Sequence, residues 1–323
     1  MFDMVDVVNI HEKYAETGGL LSIKKLDELI APFRDKYRLS DTEALYIIKS
    51  NPINIADSFD SFIHDEVEYQ IANKNFLWSV KRLGNVQEII IPDVFPENGL
   101  SVTSAGKAFC RDIFSKITLP NTINRFCEKA FLSACVEEIV WPSSCYNIPD
   151  SCFLNSEIKR INNIDHVTYV GNGAFADSKI KEIKWPTYCK VIPKKCFCNS
   201  SLATIDNIEN VEVISFGAFK RTKIKSFVWP SKCYEIPDEC FQGSLIENIS
   251  NIDNITYIGD AAFCIAPNMN QIDLSNTQVN YIGDCAFYGI DQDKVIFPYY
   301  TSDDVREDAF SLISALFRMV IEA

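Results

Sequence analysis

A small residue followed by phenylalanine recurs from the middle of the chain to its end at almost constant spacing. The pairs are Ala108-Phe109, Ala130-Phe131, Cys152-Phe153, Ala174-Phe175, Cys196-Phe197, Ala218-Phe219, Cys240-Phe241, Ala262-Phe263, Ala286-Phe287 and Ala309-Phe310. Successive phenylalanines stand 22 residues apart seven times, then 24, then 23. A unit this short cannot bury its own apolar face, so the units must stack, each covering the next. Fixed spacing then places every phenylalanine over the last, as a continuous aromatic spine.

Other columns keep the same beat. Five residues before the phenylalanine stand Phe126, Ile148, Val170, Ile192, Ile214, Ile236, Ile258 and Ile282. After it come apolar residues at five, eight and usually ten positions on, as in Val136, Ile139 and Trp141. The closing alternation predicts a short strand with side chains facing inward and outward in turn. A doubled unit of 44 residues overlies the pattern: Trp141-Pro142, Trp185-Pro186 and Trp229-Pro230 alternate with Asn163-Ile164, Asn207-Ile208 and Asn251-Ile252.

The runs Ile139-Val140-Trp141-Pro142, Ile148 and Cys152-Phe153, with Val279, Ile282-Gly283-Asp284 and Ala286-Phe287, resemble the leucine-rich repeats of the BspA type. The resemblance covers residues from about 86 to 323. It implies a leucine-rich repeat solenoid and a surface or interaction protein without catalysis, a family frequent in gut bacteria and protozoan parasites.

Residues 1–85 lack the repeat. Ser40-Asp41-Thr42-Glu43 fits a capping box that opens a helix through Ile48, and Leu21 to Arg34 and Ser58 to Leu77 show helical spacing. The expectation is an α+β chain: a small N-terminal helical bundle or cap over 1–85, then an array of about ten 22-residue coils over 86–323. Residues 85–92 read as its first strand, 93–100 as a loop, and 311–321 as a closing helix or strand.

A net charge of −13 without a basic cluster disfavours nucleic acid, because an acidic surface repels phosphate. No window approaches the roughly 18 apolar residues of a membrane helix. Asp3, Asp6, Glu12 and Glu16 occupy the stretch where a secretory leader needs basic and then apolar residues, so a cytoplasmic protein is expected.

All twelve cysteines lie in the array, without the paired spacing of zinc sites. Cys145, Cys189 and Cys233 share one column and Cys152, Cys196 and Cys240 another, always on alternate coils. Same-column neighbours are then about 9–10 Å apart, beyond the roughly 7 Å reach of a disulfide. Small buried hydrophobes in a reducing compartment are the simplest reading. The histidines His11, His64 and His166 have no repeat-independent Cys or Ser partner, and the column Ser156, Ser178, Ser200, Thr222 and Ser244 reads as turn hydroxyls. No catalytic, cofactor-binding or metal-binding residues are assigned.

Two rows could serve recognition. Tyr146, Tyr169, Tyr234, Tyr257 and Tyr281 flank the second extended segment, where tyrosine offers large contact area at low entropic cost. The outward strand position carries Val140, Asn162, Lys184, Asp206, Val228 and Ser250. The reading is a non-catalytic, protein-binding scaffold of unknown partner. The rival is a structural or assembly component, a virion or surface-layer part that self-associates through the array.

Overall fold

The computed structural model describes residues 59–311, apart from 73–75, 84, 106–107 and 110–112. By internal contacts the chain divides into two compact units, 1–61 with 70–74 and 62–69 with 75–323. The array lies in the second. The helices expected over 21–34 and 40–48 fall outside the described residues.

The helix expected over 58–77 is not formed. Three strands occupy that region: β1 (Phe59–His64), β2 (Val67–Ala72) and β3 (Phe76–Arg82). Val67, Tyr69 and Ile71 are all buried, so the apolar period here is two, and the overlapping matches at three and four residues belong to no helix. Asp65 and Glu66, at φ 46° and 59°, turn the chain between β1 and β2.

The coils of the array contribute front strands of two to five residues and flank strands of two. The front strands begin with β4 (Glu88–Ile90), β6 (Phe114–Thr118), β8 (Val136–Val140) and β10 (Arg160–Asn162). They continue as β12 (Glu182–Lys184), β14 (Thr204–Asp206), β16 (Ser226–Val228), β18 (Asn248–Ser250), β20 (Ile272–Asp273) and β22 (Val295–Ile296). Flank strands start at β5 (Ser104–Ala105), β7 (Arg125–Phe126), β9 (Asn147–Ile148), β11 (Tyr169–Val170) and β13 (Val191–Ile192). The remaining four are β15 (Val213–Ile214), β17 (Glu235–Ile236), β19 (Tyr257–Ile258) and β21 (Tyr281–Ile282). Paired strands of successive coils run parallel in the repeat register, Ile161 opposite Ile139 and Ile258 opposite Ile236.

The phenylalanine spine forms as expected. From Phe109 to Phe287 consecutive rings stack 4.9–5.9 Å apart and within 21° of parallel. Left-handed residues stand two before and two after the ring, for example Ser151 (φ 53°) and Asn155 (φ 56°) around Phe153. This alternation turns three N–H groups the same way: Ser151, Phe153 and Asn155 donate to the carbonyls of Asn172, Ala174 and Ala176 on the next coil. Ser156 Oγ, Ser178 Oγ and Thr222 Oγ1 donate to the carbonyl of the preceding phenylalanine, which confirms their reading as turn hydroxyls.

A helix, α1 (Asp303–Phe310), capped by Ser302, meets the end of the ladder. The carbonyls of Asp308 and Ala309 accept the N–H groups of Cys285 and Phe287, so its last turn satisfies donors that another coil would otherwise take. This closing helix precedes the helix or strand expected over 311–321, of which 312–321 lie outside the described residues. Among the described residues α1 and one 3-10 turn (Gln292–Lys294) are the only helices. The array is therefore a β-solenoid rather than part of an α+β fold, and its ten phenylalanines delimit about nine turns.

Candidate functional site

The tyrosine row divides into two columns. Tyr169, Tyr257 and Tyr281 open flank strands, and their hydroxyls donate to Oδ1 of Asp150, Asp238 and Asp260 on the preceding coil at 3.3, 3.2 and 3.2 Å. The same oxygens accept the backbone N–H of Asn172, Asp260 and Asp284. Glycine lets the carboxylate approach: a Cβ on Gly171, Gly259 or Gly283 would lie only 2.1–2.3 Å from that Oδ1. Burial, and then the facing Asp238 carboxylate, push the Tyr257 phenol above its usual range. The rings of Tyr257 and Tyr281 stack at 4.7 Å. These three tyrosines brace coil against coil.

Tyr146 and Tyr234 stand one residue earlier, outside the strands, and are 55% and 57% exposed. Tyr146 packs edge-on against His166, whose Nε2 contacts the carbonyls of Pro142 and Cys145.

On the front face, Asn162 pairs with Val140, Lys184 with Asp206 and Val228 with Ser250. Val140 and Asn162 are half-buried and the others exposed, Val228 at 64%. Charges dominate the early coils. Glu138 pairs with Lys116 (2.9 Å) and Arg160 (3.8 Å) and accepts from Asn162 (3.0 Å); Arg160 also reaches Glu182 (3.1 Å), and Lys184 reaches Asp165 (3.0 Å). From β14 to β18 the outward strand positions are Thr204, Asp206, Ser226, Val228, Asn248 and Ser250, a largely uncharged stretch.

The 44-residue period has a structural cause. In each Trp-Pro coil the indole N–H donates to a carbonyl of its own coil, Cys145, Cys189 or Cys233, and the Trp backbone N–H donates to the next coil. In the intervening coils Asn163, Asn207 and Asn251 adopt φ 61–63° and return a side-chain N–H to the Trp carbonyl at 2.6–2.7 Å. From β8 onward, front strands pair within such coil pairs but not between them, leaving seams at β10/β12, β14/β16 and β18/β20. Arg160–Glu182 bridges the first, and Asn270 Nδ2 donates to Asn248 across the third. No side-chain bond joins β14 to β16 among the described residues. An open groove of about 390 Å³ lies there, with Ile205, Phe227 and Trp229 below and Asp206, Glu209 and Val228 at its rim.

Among the described residues neither His64 nor His166 bonds a thiol or a hydroxyl. The eleven described cysteines are free thiols. Burial pushes most of them up, Cys233 to about 12 and Cys285 to about 11, which holds them protonated. His64 Nδ1 contacts Glu97 at 2.6 Å, and His11 lies outside the described residues. Among the described residues no three His, Cys, Asp or Glu side chains group to hold a metal ion, and no helix is long and apolar enough to cross a membrane.

Reading by sequence missed the braces and the seams. The braces had a signal: Tyr-x-Gly at 169–171, 257–259 and 281–283, each with an aspartate at 150, 238 or 260 on the coil before.

A family model described as "BspA type Leucine rich repeat region" matches residues 103–224 and 190–317. No curated protein matches the chain. Among solved structures, the chain is similar to a leucine-rich repeat protein from Bacteroides ovatus, at 17% identity over 71% of this chain and 92% of that one, with a TM-score of 0.39. It is similar to the pneumococcal vaccine antigen PcpA at 14% identity over 72% and 79%, TM-score 0.40. The Treponema pallidum leucine-rich repeat protein matches at 15% identity over 77% and 94%, TM-score 0.36.

Proposed function

The chain belongs to the BspA-type leucine-rich repeat family, and on that premise we propose that it is a non-catalytic scaffold that binds a protein partner through the front face of its array. One observation carries the reading. From β14 to β18 the front strands present a mostly uncharged outward row with Val228 64% exposed at its centre. Exposed apolar surface rimmed by polar groups favours association, and neutral groups cost less to desolvate than charges. The flank offers less, because three of its five tyrosines already hold aspartates. The free, protonated thiols support a reducing compartment such as the cytoplasm.

Light scattering during size exclusion tests this. The purified chain should elute as a monodisperse monomer and shift to a larger complex after incubation with extract of its source cells. Concentration-dependent growth of the chain alone, without a captured partner, would replace this reading by self-assembly.

A further inference from the structure

The seam between β14 and β16 carries an imbalance of charge. Asp206 and Glu209 border the groove, no basic side chain lines it, and neither carboxylate takes part in an ion pair among the described residues. The nearby cations are engaged elsewhere: Lys184 with Asp165 at 3.0 Å, Lys225 with Glu247 at 2.8 Å, and Lys232 with the Asn210 side-chain oxygen at 3.1 Å. Below the rim the groove is apolar. Ile139, Ile183 and Phe227 are at most 5% exposed, whereas Ile205 and Ile249 in the same column are only half-buried, each beside a seam.

We propose that this groove receives an arginine side chain presented by an extended, basic segment of the protein partner. The inference rests on the scaffold reading and names the chemistry of its partner. A guanidinium suits the site better than an ammonium. It is planar and weakly hydrated, so its faces tolerate apolar contact while its edges offer forked N–H donors to carboxylates. Its methylene stem can lie along Ile205 and Val228 while the head reaches Asp206 and Glu209.

The test uses the full-length chain, labelled at isoleucine methyl groups, and an acetylated, amidated Gly-Arg-Gly-Arg-Gly peptide. The peptide should shift the Ile205 and Ile208 methyl signals saturably while Ile139 stays fixed. Its citrulline counterpart, which keeps the shape and loses the charge, should shift neither. Asp206→Asn combined with Glu209→Gln should weaken the arginine peptide by roughly tenfold, with an unchanged melting temperature as the control for folding. Equal shifts with citrulline, shifts outside the groove, or full affinity in the double variant would each overturn the proposal. Capture of the partner from cell extract separates the two claims. If the wild-type chain captures a partner but the arginine peptide leaves Ile205 unmoved, this inference falls and the scaffold reading stands. If no partner is captured, the scaffold reading falls with it.

Discussion

Oδ1 of Asp238 accepts two bonds from the following coil, the Tyr257 hydroxyl at 3.2 Å and the Asp260 N–H at 3.0 Å. Tyr257→Phe removes the first and leaves the ring stacked on Tyr281. The expected cost is about 1 kcal/mol, read as a lower denaturant midpoint with an unchanged slope. An unchanged midpoint would show that the bond contributes nothing to stability.

Gly259→Ala should be far more damaging than its chemistry suggests. Where space allows, Gly to Ala stabilises by about 0.4–1 kcal/mol through the unfolded chain. Here the new methyl would sit 2.1 Å from Asp238 Oδ1 and 2.4 Å from its backbone N, and backbone cannot move cheaply. A loss of at least about 2 kcal/mol is expected in thermal or denaturant unfolding.

Asn207 serves by conformation and by hydrogen bond together. Asn207→Ala gives up the 2.7 Å bond to the Trp185 carbonyl and forces alanine to φ 63°, an expected loss of about 2 kcal/mol. Asn207→Gly loses the bond but keeps the left-handed turn, so it should fall between wild type and Asn207→Ala. Equal losses would mean the conformation contributes nothing.

The buried thiols make stability depend on alkaline pH. Cys233 and Cys285 ionise in the unfolded chain near pH 8.5 but in the folded chain only near 12 and 11. The folded state therefore retains more protons over that interval. Their contribution is fully present below about pH 8.5 and declines as pH rises through the interval toward the folded values. Unfolding midpoints should fall progressively there, and Cys233→Ala should flatten the decline. A profile unaltered by Cys233→Ala would contradict the assignment.

The sequence announced some features and concealed others for definite physical reasons. A phenylalanine every 22 residues can serve stacking alone, so the spine and register were readable; each ring is locked by neighbours of its own kind. The 44-residue alternation was visible as Trp-Pro against Asn-Ile, but its consequence was not. The front sheet parts after the coils that carry the left-handed turns at Asn163, Asn207 and Asn251, and a side chain such as Arg160 bridges a seam without closing it. The stretch 58–77 was misread because Val67, Tyr69 and Ile71, in alternation, also satisfy helical spacing with Phe62 and Ile63. The hairpin signal was the Asp65-Glu66 pair, without the glycine that usually marks such a turn. The hydroxyl bonds of Tyr169, Tyr257 and Tyr281 to Asp150, Asp238 and Asp260 were hidden because they join residues 19–21 positions apart on neighbouring coils.

Capture from cell extract with paired variants tests most directly the claim that the front face carries recognition. Val228→Glu places a charge on the exposed centre of the front row, and Tyr146→Ala with Tyr234→Ala strips the two exposed flank tyrosines outside the strands; all three positions are open enough to leave folding intact. The account predicts that Val228→Glu loses the partner while the double tyrosine variant retains it. Retention by Val228→Glu together with loss in the tyrosine variant would move the binding surface to the flank and contradict it.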